Sequence, residues 1–521
     1  MTTVIKIFGF LAVCALSLIP AKKALHMFQQ NRYEFYRYTS WLFRKSNFRP
    51  SLTLILILFF LLVGNVLKGD LGILLCSIAA LAYAWKLYQD EKKQDYVKPL
   101  VYTARVKRQI VFLTVLSVLV YLLFYRLRPC LGFCAALLLP YLLIYPMAAL
   151  TLPLEKAVRQ HYENEARKIL KESPQLKKIG ITGSFGKTSV KNIVGDLLNE
   201  HYYTLKTPAS CNTPMGITRT VREYLKPTHQ VFVCEMGADH VGEISYLMDF
   251  VKPTYGMVTS IGPQHLNTFG SLENIIKEKM QAIEKLPADG VGILNVDNPY
   301  IRDYPLENKV RTVTVGIHNT DADIVGKDID YGENGSTFKA VIKGKEYAYE
   351  TELLGENNVM NCLLAIALAL EMGITPEETR KYLKEVRPIE HRLQKKIING
   401  YRFLDNAFNS NPVGCRQSLD VLERMSGKRV IVTPGLIDLG GSEYQENKAF
   451  GAYMKGKADF VILVGELEKE ALLEGLKESG YPEEQILCVN SEKEAFGYIY
   501  TRFTPSDTIL LENDLPDAFL K

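Results

Sequence analysis

The spacing of apolar positions divides this chain at about residue 150. Before that point, nearly unbroken apolar runs occur at 4–20, 51–67, 71–87, 110–127 and 130–150. Each is close to the ~17–25 residues that a helix needs to cross a hydrocarbon core. The pattern predicts an α-helical membrane region of about five spans. Beyond it, short apolar segments at 178–181, 231–237, 255–262, 291–296 and 310–316 alternate with three- and four-residue periodicity at 190–198, 242–250 and 272–285. Such alternation predicts a mostly parallel sheet with helices on both faces. Residues 336–351 alternate around Lys343-Gly344-Lys345 and predict a β-hairpin, and 358–372 is a long apolar helix. Thr375-Pro376-Glu377-Glu378 has the form of a capping box with proline at the first helical position. Further strands at 401–405, 429–434, 460–465, 485–489 and 508–512 make a second, Rossmann-like α/β domain. The expected division is therefore 1–152 membrane region, 153–177 charged linker helix, 178–390 central domain and 391–521 C-terminal domain.

Charge orients the first region. Lys22, Lys23, Arg32, Arg37, Arg44, Lys45 and Arg49 crowd one connection, and Lys92, Lys93, Lys98, Arg105, Lys107 and Arg108 another. The connections near 68–70 and 126–129 are short. By the positive-inside rule, five spans put the N-terminus outside and place both basic segments, and everything after 150, in the cytoplasm. The chain is thus expected to be an integral protein of the cytoplasmic membrane. Tyr33, Tyr36, Tyr38, Trp41 and Phe43 interleave with the first basic segment, the pattern of an interfacial stretch on anionic lipid or of a plain solvated loop. Lys6 is the only early charge of the first run, and no small-x-small cleavage site follows, so a retained anchor is expected rather than a signal peptide. The net charge of +5 over 521 residues gives no argument for a nucleic-acid partner. Nine cysteines without a C-x-x-C pair fit a reducing cytosol.

The candidate chemistry begins at 180–190, GITGSFGKTSV. An apolar strand runs through Gly183 and Gly186 into Lys187, Thr188 and Ser189, where a helical pattern starts. A strand, a glycine loop and a helix N-terminus form an anion site: backbone N–H groups and the helix dipole face a phosphate, and lysine adds a point charge. The spacing departs from the common phosphate loop, because Thr182 and Ile181 stand where an earlier glycine would. Glu235 closes the apolar run VFVCEMG, and His265 follows GMVTSIG in the loop GPQHLNTFG. Both lie at strand ends, where open α/β sheets place ligands. With the Thr188 hydroxyl they could hold Mg²⁺ on ATP phosphates. Taken singly, Glu235 is as well explained by a salt bridge and His265 by a loop contact; their joint placement after successive strands is the stronger signal.

These segments, followed by CNTPMG, CEMGADHVGEI, SIGPQHLNTFGSLENIIKEK, LLGENNVMN, EHRLQ and LDNAFNSNP, resemble the ATP-dependent Mur ligases over residues 178–521. The similarity is greatest to the type that adds D-alanyl-D-alanine to a UDP-muramoyl tripeptide. The resemblance implies a P-loop-type ATP-binding central domain in which Gly183, Ser184, Phe185, Gly186, Lys187, Thr188 and Ser189 wrap the phosphates. It implies that Thr188, Glu235 and His265 bind metal, joined by Lys279 once carbamylated. Lys187, Lys279 and His265 take the catalytic positions. Asn358, Arg392 and Asp405 reach the nucleotide, and Asn212 and Asn409 lie on the acceptor side. It further implies ATP and Mg²⁺ as cofactors and an acyl phosphate made from a carboxylate acceptor. An amino acid or dipeptide amine then resolves that intermediate, in the synthesis of peptidoglycan precursors.

The chain also departs from the family. The usual uridine-nucleotide domain is replaced by the apolar region, so the acceptor is either UDP-linked or lipid-linked at the membrane face. Gln281 stands where a glutamate is usual, Asn447 where a histidine is common, and LENDLPD replaces a lysine-glycine-serine element. Three other readings stand beside the wall-precursor ligase. One is a polymer ligase resembling poly-γ-glutamate synthases, and another a nucleotide-binding membrane scaffold without activity. The third, a transporter ATPase, lacks the aspartate-ended strand of such motors. Retention of Lys187, Thr188, Glu235, His265 and Lys279 together opposes the scaffold.

Overall fold

The computed structural model describes residues 2–43, 50–67, 69–94, 96, 99–408, 410–437 and 439–514. Packing divides the chain into two compact units, 1–160 and 161–514.

The first unit is helical: α1 (Thr2–Gln30), α2 (Phe35–Leu42), α3 (Pro50–Val66), α4 (Asp70–Lys92), α5 (Ala104–Leu127), α6 (Pro129–Leu142) and the start of α7 (Ile144–Lys171). Here the expectation of five spans is corrected. Among the described residues three helices, α1, α4 and α5, are long and apolar enough to cross a membrane, and α6 with α7 makes a fourth only if the pair, bent by 49°, counts as one. At 17 residues, α3 rises only about 25 Å, short of the ~30 Å of a hydrocarbon core. The bend after Leu142 has a cause in Pro146, which has no N–H to give the Leu142 carbonyl and whose ring crowds it. The charged stretch expected as a separate linker helix is the second half of α7.

Val13, Leu16, Phe60 and Phe133 are buried between these helices, while Val4, Ile7, Leu11 and Leu18 on α1 and Val111, Val115, Leu119 and Leu122 on α5 are exposed. The outward faces are therefore as apolar as the inward ones, an arrangement that soluble bundles avoid. The aromatic segment after α1 does not lie wholly outside. Tyr38 and Trp41 are buried, and the Tyr38 hydroxyl donates to the Tyr141 carbonyl at 3.0 Å, whereas Tyr36 and Phe43 face outward. Among the basic residues, Arg108 makes a bidentate pair with Glu155 at 2.8 and 2.7 Å, and the Arg105 guanidinium lies 3.7 Å above the Tyr33 ring.

The second unit holds two sheets. The first contains β1 (Lys177–Thr182), β2 (Thr204–Lys206), β3 (Val231–Glu235), β4 (Tyr255–Val258), β5 (Val291–Asn295), β6 (Arg311–Gly316), β7 (Ile324–Gly332), β8 (Gly335–Ile342) and β9 (Lys345–Thr351), in the order β2-β3-β1-β4-β5-β6-β7-β8-β9. Pairing is parallel as far as β7 and antiparallel from β7 to β9. The helices are α8 (Lys187–Asn199), α9 (Pro214–Tyr224), α10 (Glu243–Val251), α11 (Leu266–Phe269), α12 (Leu272–Glu284), α13 (Pro299–Arg302), α14 (Glu356–Glu371) and α15 (Pro376–Leu383). Alternation along β3 decides the layers. Val231 and Val233 pack with α8 and α14 on one face, and Phe232 and Cys234 pack with α10 and α12 on the other. The hairpin turns at Lys343-Gly344, and Thr375 and Glu378 form the expected capping box. Two strands escape the sequence pattern. β2 has only three residues, and β7 carries Lys327, Asp328 and Asp330 around a register shift that destroys its alternation.

The second sheet contains β10 (Gln394–Ile398), β11 (Tyr401–Asn406), β12 (Arg429–Thr433), β13 (Phe460–Val464), β14 (Ile486–Val489) and β15 (Thr508–Glu512), in the order β10-β11-β15-β12-β13-β14. Its core faces carry α16 (Pro412–Glu423), α17 (Glu443–Tyr453) and α18 (Lys469–Glu478) on one side and α19 (Glu492–Arg502) on the other. Strand β10 is an antiparallel edge strand whose polar start, Gln394-Lys395-Lys396, hid it.

Asn447, where the family commonly has histidine, clamps the loop after β12. It accepts from Leu436 N at 2.8 Å, donates to Leu436 O at 2.8 Å, and donates to Glu468 Oε2 at 3.0 Å. Burial, and then the nearby Glu443 carboxylate, push Glu468 up to about 7. An acid whose folded value is raised takes up a proton on folding. Its contribution to stability is full below the unfolded value, near 4.5, and is lost as pH rises through about 7. Thermal unfolding of Glu468→Gln should therefore give a higher Tm than the parent at pH 8, with the gap closing toward pH 5.

Candidate active site

The chain order places a crevice at the end of β1. From β1 the chain builds β2 and β3 on one side and then crosses to β4 on the other. Loops leaving the carboxyl ends of β3, β1 and β4 therefore part around a switch point, where doubly wound sheets bind ligands. Register brings Ile181 opposite Glu235 and Thr182 opposite Val258, so the phosphate-type loop, Glu235 and the loop of His265 share one edge.

The loop itself needs its glycines. Gly183 has φ +149, and a Cβ there would stand 2.2 Å from Thr259 Oγ1. Gly186 caps α8 with φ +81, in the left-handed region. Ser184 donates to Gly262 O at 2.9 Å, and Thr259 donates to Phe185 O at 2.5 Å, which ties the loop to the segment after β4. Lys187 folds back over the loop, donating to Gly183 O at 2.7 Å and Ser184 O at 2.8 Å. Burial pushes it down to about 8, Glu235 acts in the opposite sense, and Arg392 adds to the lowering.

Glu235 is the centre of charge. Its side chain is 1% exposed. Oε1 accepts from Thr188 Oγ1 at 3.1 Å and Asn212 Nδ2 at 2.9 Å, and the Lys191 ammonium lies 3.1 Å from Oε2. Lys279, also buried, donates to Ala238 O at 3.0 Å. Burial, and next the Lys187 charge, push it down to about 7. Its neighbour Glu278 accepts from Gly242 N at 2.7 Å and Ile244 N at 2.5 Å, fixing the turn into α10. His265 sits at the N-cap of α11 with φ +55, half-buried at the same sheet edge. Gln281, in place of the usual glutamate, reaches back to Lys277 O at 3.4 Å.

A cavity of about 470 Å³ opens beside the loop, lined by Phe185, Asn298, Asn358, Arg392, Phe408 and Gln417 among others. Asn358 donates to Leu354 O at 2.9 Å and accepts from Asn361 at 3.3 Å. Arg392 donates to Phe408 O at 3.0 Å, and burial lowers its guanidinium, with Glu235 opposing. Two buried acceptors, Asn298 Oδ1 and Gln417 Oε1, have no hydrogen-bond partner among the described residues, so the cavity can satisfy a donor-bearing heterocycle.

Among the expected site residues, the structure thus groups Lys187, Thr188, Glu235, Asn212, Lys279 and Arg392. Asp405 is not among the residues that line the cavity. It accepts from His391 at 2.8 Å and from Lys396 at 2.6 Å, and the cavity wall carries Asn406 instead. Burial alone would raise Asp405, but Lys396, His391 and the Ala407 N–H outweigh it and hold the carboxyl below its ordinary value. Asn409 lies outside the described residues. Glu512, in the segment that replaces lysine-glycine-serine, is fully buried and accepts from Asn406, Ser410 and Ser418. It secures the loop that carries Phe408. Lys191 and Asn361 were missed in the sequence, although each follows a selected residue by four or three positions on the same helix.

Residues 181–369 match the model of the Mur ligase middle domain, and residues 391–512 match that of the Mur ligase glutamate ligase domain. The chain belongs to the Mur ligase family. The UDP-N-acetylmuramoyl-tripeptide–D-alanyl-D-alanine ligase of Bacillus subtilis is 33% identical over 294 residues, 56% of this chain and 63% of that protein. Its Escherichia coli counterpart is 27% identical over 55% of this chain and 64% of that protein. The chain thus spans less than two thirds of the length of these curated relatives. Among solved structures, MurF from Acinetobacter baumannii is similar with a TM-score of 0.61 and 26% identity, covering 68% of this chain and 77% of that one. The MurF ligase of Thermotoga maritima in complex with ADP shares the fold, with a TM-score of 0.62 at 22% identity.

A side chain at position 183 would clash with Thr259 and force a strained φ. Gly183→Ala should therefore weaken binding of a fluorescent ATP analogue by about tenfold or more in titrations, while far-UV circular dichroism stays that of the parent.

Proposed function

We propose that this Mur ligase family member is an ATP-dependent, ADP-forming ligase that makes an amide bond through an acyl phosphate, in peptidoglycan precursor synthesis at the cytoplasmic membrane face. The observation that carries this reading is Glu235, a buried carboxylate beside the phosphate-type loop that takes the Thr188 hydroxyl and the Asn212 amide on one oxygen. Its other oxygen, Oε2, accepts no hydrogen bond among the described residues. A hydroxyl and an ionised carboxylate are the hard oxygen donors that Mg²⁺ takes, so these residues fit that ion. His265, and Lys279 when carbamylated, would complete the set that the family resemblance implies. Bound Mg²⁺ would offset phosphate charge and polarise the γ-phosphate.

The residues of the chain divide the remaining work. The loop N–H groups and the α8 dipole hold the phosphates, and Lys187 turns from the loop carbonyls to the β- and γ-phosphates. Arg392 adds positive charge from the second sheet. The acceptor carboxylate attacks the γ-phosphorus, ADP leaves, and the incoming amine displaces phosphate from the acyl carbon as its proton passes to solvent or base. An acyl phosphate hydrolyses readily, so closure of the two sheets around the cavity serves to exclude water.

The apolar helices, with their apolar outward stripes, support a membrane anchor where the family's uridine-nucleotide domain would stand. A lipid-linked acceptor follows as the preferred substrate, with a UDP-linked one as the alternative. Asn447 and Glu512 replace family residues near the amine end, so the amine need not be D-alanyl-D-alanine.

Three outcomes test this reading. Detergent-solubilised protein should release phosphate from ATP faster with lipid-linked than with UDP-linked acceptor, and mass spectrometry of the product identifies the amine. A preference for the UDP-linked form would remove the membrane part of the reading. Lys187→Ala should abolish ATP turnover. Lys279→Ala should lower it by about 10²-fold or more, with partial recovery on adding short carboxylic acids; full activity in that variant would rule out the carbamate.

A further inference from the structure

Lys191 has no part in the reading so far, yet it is one of the most deeply buried charges in the chain, at 1% exposure. It lies four residues after Lys187 on α8, so both ammonium groups leave the same helix face toward the sheet edge. Its Nζ donates to Ala209 O at 2.5 Å and stands 3.1 Å from Glu235 Oε2. The second contact balances charge without being a hydrogen bond, because Oε2 accepts none among the described residues. Lys191 therefore sets a positive charge beside a buried carboxylate while leaving that oxygen's lone pairs undirected.

The Ala209 contact matters as much. Ala209 has φ +44, a conformation that a residue with a side chain adopts only when held. Three residues on, Asn212 is pinned to the end of β3 by Gly237 N, which donates to its carbonyl at 2.8 Å, and its side chain reaches Glu235. One ammonium and one amide thus grip the carboxylate and the 207–213 loop from two sides. A buried ion pair seldom improves stability over an apolar pair of the same volume. Its presence at this carboxylate, beside the phosphate-type loop, points to the site rather than the fold.

We propose that Lys191 is a positioning residue that presets Glu235, together with the 207–213 loop, for a divalent cation. The proposal rests on the metal-site reading of Glu235, and the test separates the two. Mn²⁺ alone is titrated into the full chain in detergent and followed by the electron paramagnetic resonance of the free ion. Thermal melting confirms that each variant is folded. Lys191→Met should weaken Mn²⁺ binding about 10–100-fold, the range for groups that orient metal ligands, and Lys191→Arg should recover part of the loss. Lys191→Gln, which keeps a neutral donor, substitutes if the methionine variant does not fold. A folded neutral variant that binds Mn²⁺ like the parent overturns the proposal. So does the failure of both neutral variants to fold, since the pair would then serve stability alone. Glu235→Gln is the reference: if it binds Mn²⁺ like the parent, the metal site itself is misplaced, whatever Lys191 does.

Discussion

A carboxylate taken out of water must be paired, and the centre of this protein is organised by that constraint. Glu235 ends a strand whose five residues are all buried, so its charge has no access to solvent. Thr188 and Lys191 meet it from α8 and Asn212 from the 207–213 loop, and Lys187 and Arg392 sense its charge. The gathering is weighted toward positive charge. Lys187 and Lys279 are both pushed down by burial, and Lys187 adds to the lowering of Lys279. A polyanion entering this edge would relieve that crowding, which is the electrostatic logic of a triphosphate site.

The second sheet supplies what the first lacks. The phosphate-type loop can hold phosphates, but the wall facing it comes from Arg392, Phe408 and the start of α16. These sit on irregular backbone: His391 and Leu393 have positive φ, and the loop after β11 is tied down by Glu512. A fully buried acid with three donors is an unusual replacement for a lysine-bearing element. It exchanges a basic side chain for a clasp inside the domain.

In the first unit the governing constraint is length. A helix must cover about 30 Å to cross a hydrocarbon core, and apolar composition alone does not say whether it does. Residues 51–67 and 130–150 are as apolar as the long helices, but one is short and the other bends after Leu142. The same unit buries Tyr38 and Trp41 beneath α1 and α6, although their pattern in the sequence suits a membrane surface. Packing against neighbours, which no local pattern records, decides which side of an aromatic segment faces in.

How much was legible follows from the range of each signal. Strong periodicity and glycine punctuation are local, so β1, β3, β4, β5, the hairpin and the Thr375 capping box could be read from the chain. The phosphate-type loop could too, because its chemistry is written in consecutive residues. Strands β2, β7 and β10 could not, being short, bulged or polar at an edge, and held by neighbours rather than by their own pattern. The site divides in the same way. Family-like spacing singled out Lys187, Thr188, Glu235, Lys279 and Asp405, but the pairing of Asp405 with His391 and Lys396 is a product of the fold. Lys191 became visible only when the fold carried its ammonium to Glu235 and Ala209. The sequence by itself determined which elements form and which residues can carry charge and bind phosphate. Only the tertiary structure decided which charges meet, because burial makes a distant partner obligatory and the partner is chosen by the order of strands in the sheet.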